Sequence, residues 1–263
     1  MLGDITPEST SKHAGHGGSE LMFGTYKEIY NVYEVRGRVF IGQRFYFMGM
    51  LPFVNNYRSI NGQTQYDVSG IGDPMAMANY QLFNTKCYED SIRFIHRLTV
   101  GAGAKAPVGR TDVVVDGETP DLDMQPGSGS WDMLFSLEYI LRYDKTGGNL
   151  NLVYRKNNSN PEGYQYGDAS SLRLDLFHML ETKKMTIMPS IGGYAEYTDP
   201  DATDSEKIYG TGGYSAFVTG GAKVFLKNVV LHGLYQRAVY NDVGMLQVPN
   251  YDRLIVGLTY NFN

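Results

Sequence analysis

The sequence predicts an all-β fold, an antiparallel up-and-down transmembrane β-barrel of about twelve strands. Three features of the 263-residue chain carry that expectation. Apolar residues recur with period two, the period of a strand with two unlike faces, rather than the helical period of 3.6. Periodic segments run to ten residues and beyond, whereas soluble strands usually have about five or six and a tilted membrane strand needs about 9–11. The connections between segments alternate strictly between short and long, as the two ends of an outer-membrane barrel require.

Taken in chain order, candidate strands fall at 27–41, 43–54, 73–84, 91–105, 131–143, 149–157, 170–180, 184–197, 213–226, 229–240 and 251–262. In 131–143, Trp131, Met133, Phe135, Leu137, Tyr139, Leu141 and Tyr143 share one face, and Asp132, Ser136, Glu138 and Arg142 the other. The last strand repeats the pattern, with Leu254, Val256, Leu258, Tyr260 and Phe262 opposite Arg253, Gly257, Thr259 and Asn261. Short connections are 42, 84–90, 144–148, 181–183 and 227–228, and long polar ones are 55–72, 106–130, 158–169, 198–212 and 241–250. Barrels of this kind normally hold an even number of strands, so these eleven segments imply one more at the N-terminus. The expectation is a single outer-membrane barrel domain over 1–263, in which 1–25 supplies the end of the first strand (Met1 to Thr6) and an outer loop.

Composition narrows the classes. Hydrophobic residues make up 42% of the chain and aromatics 13%, enough apolar surface to exclude disorder. A net charge of -5 argues against nucleic-acid binding, which needs a concentrated basic surface. The single cysteine, Cys87, excludes an intramolecular disulfide and sits in an expected periplasmic turn. No uncharged apolar run approaches the roughly 20 residues of a spanning helix; the best, 45–57, is broken by Gly49, Pro52 and two asparagines. The N-terminus shows no basic segment followed by an apolar core, so the chain is expected to lack its export signal. It ends Tyr260-Asn261-Phe262-Asn263, similar to the C-terminal recognition signal of bacterial outer-membrane barrels except for the final asparagine.

If the aromatic face meets lipid, the opposite face lines a lumen. The candidate lining residues are Glu34, Arg36, Arg38, Arg93, Arg97, Glu138, Arg142, Arg173, Asp175 and Arg253. Charges on a spanning segment are tolerated only toward a wet or mutually paired interior. Two readings follow: a cationic channel selecting anionic or polar-aromatic solutes, or arginines and carboxylates paired across the lumen so that they seal it. Asp112, Asp116, Glu118, Asp121 and Asp123 crowd one long loop, and Asp199, Asp201, Asp204 and Glu206 another; solvated charge is expected there rather than Ca²⁺ or bridges to lipopolysaccharide. His13 and His16 lack a third metal ligand, and Gly101, Gly103 and Gly109 lack the phosphate-loop pattern, which makes them small residues in a crowded strand. His178 falls on the apolar face and no nucleophile motif accompanies it, so neither a catalytic residue nor a cofactor or metal is expected.

Three stretches carry a family resemblance: VSGIGDPMAMANYQLF at 68–83, LTVGAGAKAPVGRTD at 98–112 and QPGSGSWDMLFSLEY at 125–139. The first shows a G-x-G-D-P lead into a strand, the second a glycine-rich strand ending in K-x-P-x-G, and the third a Q-x-G-S-G-S-W-D return strand. Together they resemble the outer-membrane transporters of the phenol-degradation MetA-pathway family, and YNVYEVRGRVFIGQRF at 30–45 is similar to Bacteroidetes-type members. The resemblance implies a Gram-negative outer-membrane channel for hydrophobic or aromatic small molecules. The leading expectation is therefore passive passage of a small-molecule solute by a barrel whose partners are outer-membrane lipid and lipopolysaccharide, with no nucleic acid. The alternatives are a closed structural barrel acting as accessory subunit of a larger membrane protein complex, and a soluble all-β binding module whose aromatic face packs a second sheet.

Overall fold

Long alternating segments joined by tight turns pair with their sequence neighbours, because each hairpin closes at low entropic cost and satisfies its backbone groups locally. A computed structural model describes residues 26–85, 93–245 and 247–262 and shows that arrangement. The strands are β1 (Tyr26–Ile41), β2 (Phe45–Ile60), β3 (Gln63–Ile71), β4 (Met75–Asn84), β5 (Phe94–Lys105), β6 (Asp132–Tyr143), β7 (Thr146–Lys156) and β8 (Tyr164–Gln165). There follow β9 (Ala169–His178), β10 (Leu180–Glu181), β11 (Met185–Thr198), β12 (Ala202–Thr203), β13 (Glu206–Lys207), β14 (Gly213–Leu226), β15 (Val229–Val243) and β16 (Asp252–Tyr260). Eleven of them form one antiparallel path in the order β1-β2-β4-β5-β6-β7-β9-β11-β14-β15-β16. These match the eleven expected segments one for one.

The sheet curls around an interior. Along β2, Tyr46, Met48, Met50, Val54, Asn56 and Arg58 are buried, while Phe47, Leu51 and Phe53 between them are exposed. A single sheet buries one face only by closing over it. Side chains confirm the curvature by reaching across the inside. Arg253 on β16 bonds Glu196 on β11 at 2.6 Å, although two strands intervene and a flat sheet would hold the backbones roughly 14 Å apart. Glu138 on β6 lies in electrostatic reach of Lys223 on β14 and Arg38 on β1. The fold is that of an up-and-down β-barrel. Among the described residues no pairing joins the ends of the path, β1 and β16; the strand expected at Met1 to Thr6, the loop after it, His13, His16 and Cys87 lie outside the described residues.

Polarity is inverted relative to a soluble protein. The enclosed side holds Asn79, Thr99, Glu138, Thr219 and Gln236, each at most 3% exposed, whereas Val35, Ile191, Leu254, Val256 and Leu258 point outward at 67% or more. A small apolar cluster, Met48, Met77 and Leu134, lies within this polar interior, and other apolar side chains such as Ile140, Phe217 and Leu234 are buried there as well. Two glycines make room inside the wall: a Cβ at Gly101 would strike Asn79 and Ser136, and one at Gly103 would strike Met77 and the Ala76 carbonyl. They serve strand crowding, as their sequence context predicts.

The long connections depart from expectation. The stretch 55–72 is not a loop: β2 continues to Ile60 and turns into β3, which pairs back upon it. Asn61 and Gly62, at φ of 53° and 79°, form the turn, the two-residue Asn-Gly signal that favours a hairpin. The connections 158–169 and 199–212 likewise pair with each other as the small sheet β13-β12-β8.

If the exposed apolar face meets hydrocarbon, Val256→Arg should destabilise the folded chain in lipid vesicles by about 2–4 kcal/mol, measured by urea unfolding. A surface substitution facing water would change stability by no more than about 0.5 kcal/mol.

Candidate functional site

The enclosed face is built by strand parity. Glu34, Arg36 and Arg38 on β1, Arg97 on β5, Glu138 and Arg142 on β6, Arg173 and Asp175 on β9, and Arg253 on β16 all occupy inward, buried or half-buried positions. Arg93 does not: β5 begins at Phe94, and Arg93 sits exposed in the turn before it, where its carbonyl accepts the Asp144 N–H at 2.8 Å. Several charges pair along or across strands. Arg36 pairs with Glu34, Arg173 with Asp175 at 2.7 Å, Arg97 with Glu138 at 3.1 Å and Arg253 with Glu196 at 2.6 Å. Glu138 is the centre of the middle level: its side chain is 1% exposed, its register neighbours are Thr99 and Asn151, and Arg97, Arg38 and Lys223 all act on it. One of its oxygens, Oε1, has no hydrogen-bond partner among the described residues. Among the described residues the only side-chain partner of Arg142 is Met179, whose Sδ lies 3.1 Å from Nη1. In the part of the strands nearer the short turns, Glu34, Glu138 and Asp175 face the larger set Arg36, Arg38, Arg97, Arg142, Arg173 and Lys223 among the described residues, which leaves that level cationic.

Above this level the connection 106–131 folds inward over β1, β2 and β3. Its short helical turn, Leu122–Met124, places Met124 at 0% exposure in a cluster with Tyr66 and Val68, against Tyr30, Val113 and Val115. Asn56 donates to the Met124 carbonyl at 3.0 Å, and Arg58 binds Glu28 at 2.7 Å and Asp121 at 2.6 Å. Gln125 closes the loop on itself: its Oε1 accepts from Val113 N–H at 2.9 Å and its Nε2 donates to the Val113 carbonyl at 3.0 Å.

The loop is fixed by a buried ionic joint made of the three motif stretches. Lys105 Nζ lies 3.1 Å from Asp73 and 2.5 Å from Asp132, and it also donates to Ser128 Oγ. Asp73 accepts N–H bonds from Gly109 and Ser128, each 2.9 Å. Burial alone would raise the Asp73 carboxyl, but Lys105 and those donors hold it below the usual carboxylate range. Ser130 and the Asn158 N–H complete Asp132 at 2.9 and 3.1 Å. Gly109 and Gly127 cross so closely that a Cβ on either would strike the other's backbone, which accounts for glycine at both.

The acidic loops are therefore more engaged than solvated charge would be. Asp123 and Asp201 are 3% and 1% exposed. Asp201 accepts from Tyr164 Oη at 2.6 Å and from Gly167 N–H at 2.7 Å, and burial with that carboxylate raises the Tyr164 hydroxyl. Asp112 remains exposed beside Arg110, whose guanidinium lowers its carboxyl. Among the described residues no cluster of His, Cys, Asp and Glu is arranged to hold a metal ion. The functions of Asp73, Lys105, Asn56 and Arg58 escape sequence reasoning; the signal for the first two was their place in the quoted motifs.

Comparison with known proteins follows from this geometry. A family model described as "Putative MetA-pathway of phenol degradation" matches residues 11–242. Among solved structures, the crystal structure of an outer membrane channel from Pseudomonas putida F1 superposes with a TM-score of 0.63 at 13% identity, covering 94% of this chain and 88% of that one. No curated protein matches the sequence.

Because the native Asp73 carboxyl is lowered, its stabilising contribution is complete above the ordinary carboxylate range and declines as pH falls from there through the lowered value. Hydrogen exchange should show amides of 106–131 losing protection as the pH falls through that interval. In Asp73→Asn they should be less protected already at neutral pH, with a loss of about 1.5–3 kcal/mol for hydrogen bonds to a charged group.

Proposed function

We propose that this chain, which belongs to the family described as "Putative MetA-pathway of phenol degradation", forms a passive channel for small solutes in a bacterial outer membrane. The observation that carries the reading is the inverted polarity: an apolar, aromatic exterior around a polar, charged interior whose level nearer the short turns holds more cations than carboxylates among the described residues. Such an interior is costly in a folded domain unless it is wet, since each buried charge loses several kcal/mol of hydration. Lining a path for solutes supplies the water. The channel outer-membrane structure that superposes on the chain supports the same reading. The barrel is a single domain, it needs no cofactor, and movement follows the concentration gradient.

The cationic level sets the class of solute. Arg38, Arg97, Arg142 and Lys223 favour small anionic or polar-aromatic solutes over cations, because a charged ring in a narrow low-dielectric passage acts on every ion that crosses it. Glu34, Arg36, Glu138, Arg173, Asp175 and Arg253 line the passage in pairs and shape it. A second reading has its own support. The inward loop and the Arg253–Glu196 pair across the interior favour a closed barrel that serves as accessory subunit of a larger outer-membrane assembly.

Single-channel recording in planar bilayers separates the two. A conducting barrel should prefer anions, and Arg97→Glu or Arg142→Glu should move the reversal potential toward cation selectivity. Heat-modifiable, correctly folded protein that passes no ions, and that purifies with a partner in fixed ratio, would overturn the channel in favour of the accessory barrel.

A further inference from the structure

Arg155 stands apart from the paired charges of the interior. It lies on the enclosed side of β7, opposite the buried Leu134 on β6 and Ala169 on β9, just below the inward loop. It is only partly exposed, yet among the described residues its guanidinium hydrogen-bonds no protein group, and its Nε is buried without an acceptor. Asp132 and Asp73 act on it through space, but their oxygens are taken by Lys105, Ser128, Ser130 and the N–H groups of Gly109 and Asn158. With Lys105 shared between two carboxylates, the joint keeps one excess negative charge, which attracts Arg155 and leaves its N–H fork unoccupied.

A second unmet group lies within its electrostatic reach. Tyr166 is 7% exposed and its hydroxyl has no hydrogen-bond partner among the described residues. Tyr166 and Tyr194 are both within electrostatic reach of Arg155. Tyr164 packs edge-on against Tyr166 with ring centroids 5.1 Å apart, and Asp201 pins its hydroxyl at 2.6 Å. A planar fork of donors and a hydroxyl, with tyrosine rings in electrostatic reach and Leu134 as register neighbour, is a combination that recognises one chemistry. The fork matches the two oxygens of a carboxylate, and the rings match a flat apolar body.

We propose that Arg155 and Tyr166 form a binding subsite for a small aromatic carboxylate on the inner side of the loop 106–131. The subsite rests on the channel reading for the solute's route of access, and it deepens that reading by naming a place where solute pauses. The carboxylate takes the guanidinium fork, the Tyr166 hydroxyl donates to it, and the ring of the solute lies against the tyrosines. No bond is made or broken.

Binding is tested without any need for conduction, on the full chain folded in detergent, by the rise of its melting temperature with benzoate. Wild type should rise with millimolar benzoate and not with equal chloride. Arg155→Gln should weaken benzoate binding about tenfold or more, and Tyr166→Phe about threefold. Arg110→Gln, on the exposed surface of the loop, should bind as wild type. If Arg155→Gln does not fold, Arg155→Lys retains the charge without the fork and should still bind benzoate about tenfold more weakly. No shift in wild type, an equal shift with chloride, or an Arg155 variant that binds as wild type would each overturn the subsite. A barrel that binds benzoate through Arg155 and passes no current would leave the subsite standing and reject the channel.

Discussion

Everything in this structure follows from the requirement that backbone groups facing an apolar surrounding be hydrogen-bonded within the sheet. A segment such as β16 carries Leu254, Val256 and Leu258 outward, and among the described residues no layer covers them. In hydrocarbon, an unpaired N–H or carbonyl on that strand has no water to turn to and costs several kcal/mol. Sequential antiparallel pairing meets that demand with the least loop entropy, and it also sets the polarity of the interior. Once the outward positions are apolar, parity sends the intervening residues inside, and these are Arg, Glu, Asn, Gln and Thr.

The interior then inherits the opposite difficulty. Charges drawn from water need partners, and the pairs within a strand, Arg36 with Glu34 and Arg173 with Asp175, are the inexpensive solution because both members share one face two residues apart. The Lys105 joint solves a harder case. It lies where β5 and β6 leave the sheet for a long connection, and a loop that turns inward must find acceptors and donors for its own backbone. Asp73 and Asp132 supply acceptors for Ser128 and the Gly109 and Asn158 N–H groups, and Lys105 cancels part of their charge. The glycines at 109 and 127 are required because the two arms cross at backbone contact. Loop position and sheet closure are thus one problem, solved with the same few residues.

The eleven strands of the path, their pairing order and the facing of most charges follow from sequence alone, because period two and loop alternation are local properties that the pleat turns directly into geometry. What sequence missed was the loops. The segment RSINGQTQY has a turn dipeptide between alternating residues, so β3 had a local signal that polarity alone obscured. The burial of Asp123 and Asp201 had none: a carboxylate at the surface and one held by Tyr164 and Gly167 N–H differ only through residues dozens of positions away. Arg93 failed for another reason, since strand ends are set by where the turn closes, and parity carries no information beyond the last pair.

A barrel built for stability alone would have matched each inward cation with a carboxylate or replaced both by apolar residues of similar volume, which is often neutral or better. This interior does neither. Glu138 is shared among Arg97, Arg38 and Lys223, and among the described residues Arg142 meets only a methionine sulfur. Such arrangements persist in a fold when water or a passing solute completes the hydration that the protein withholds. In the proposed channel, the excess of positive charge nearer the short turns belongs to the path's chemistry, while the locally paired residues and the Lys105 joint hold the walls and the loop in register around it.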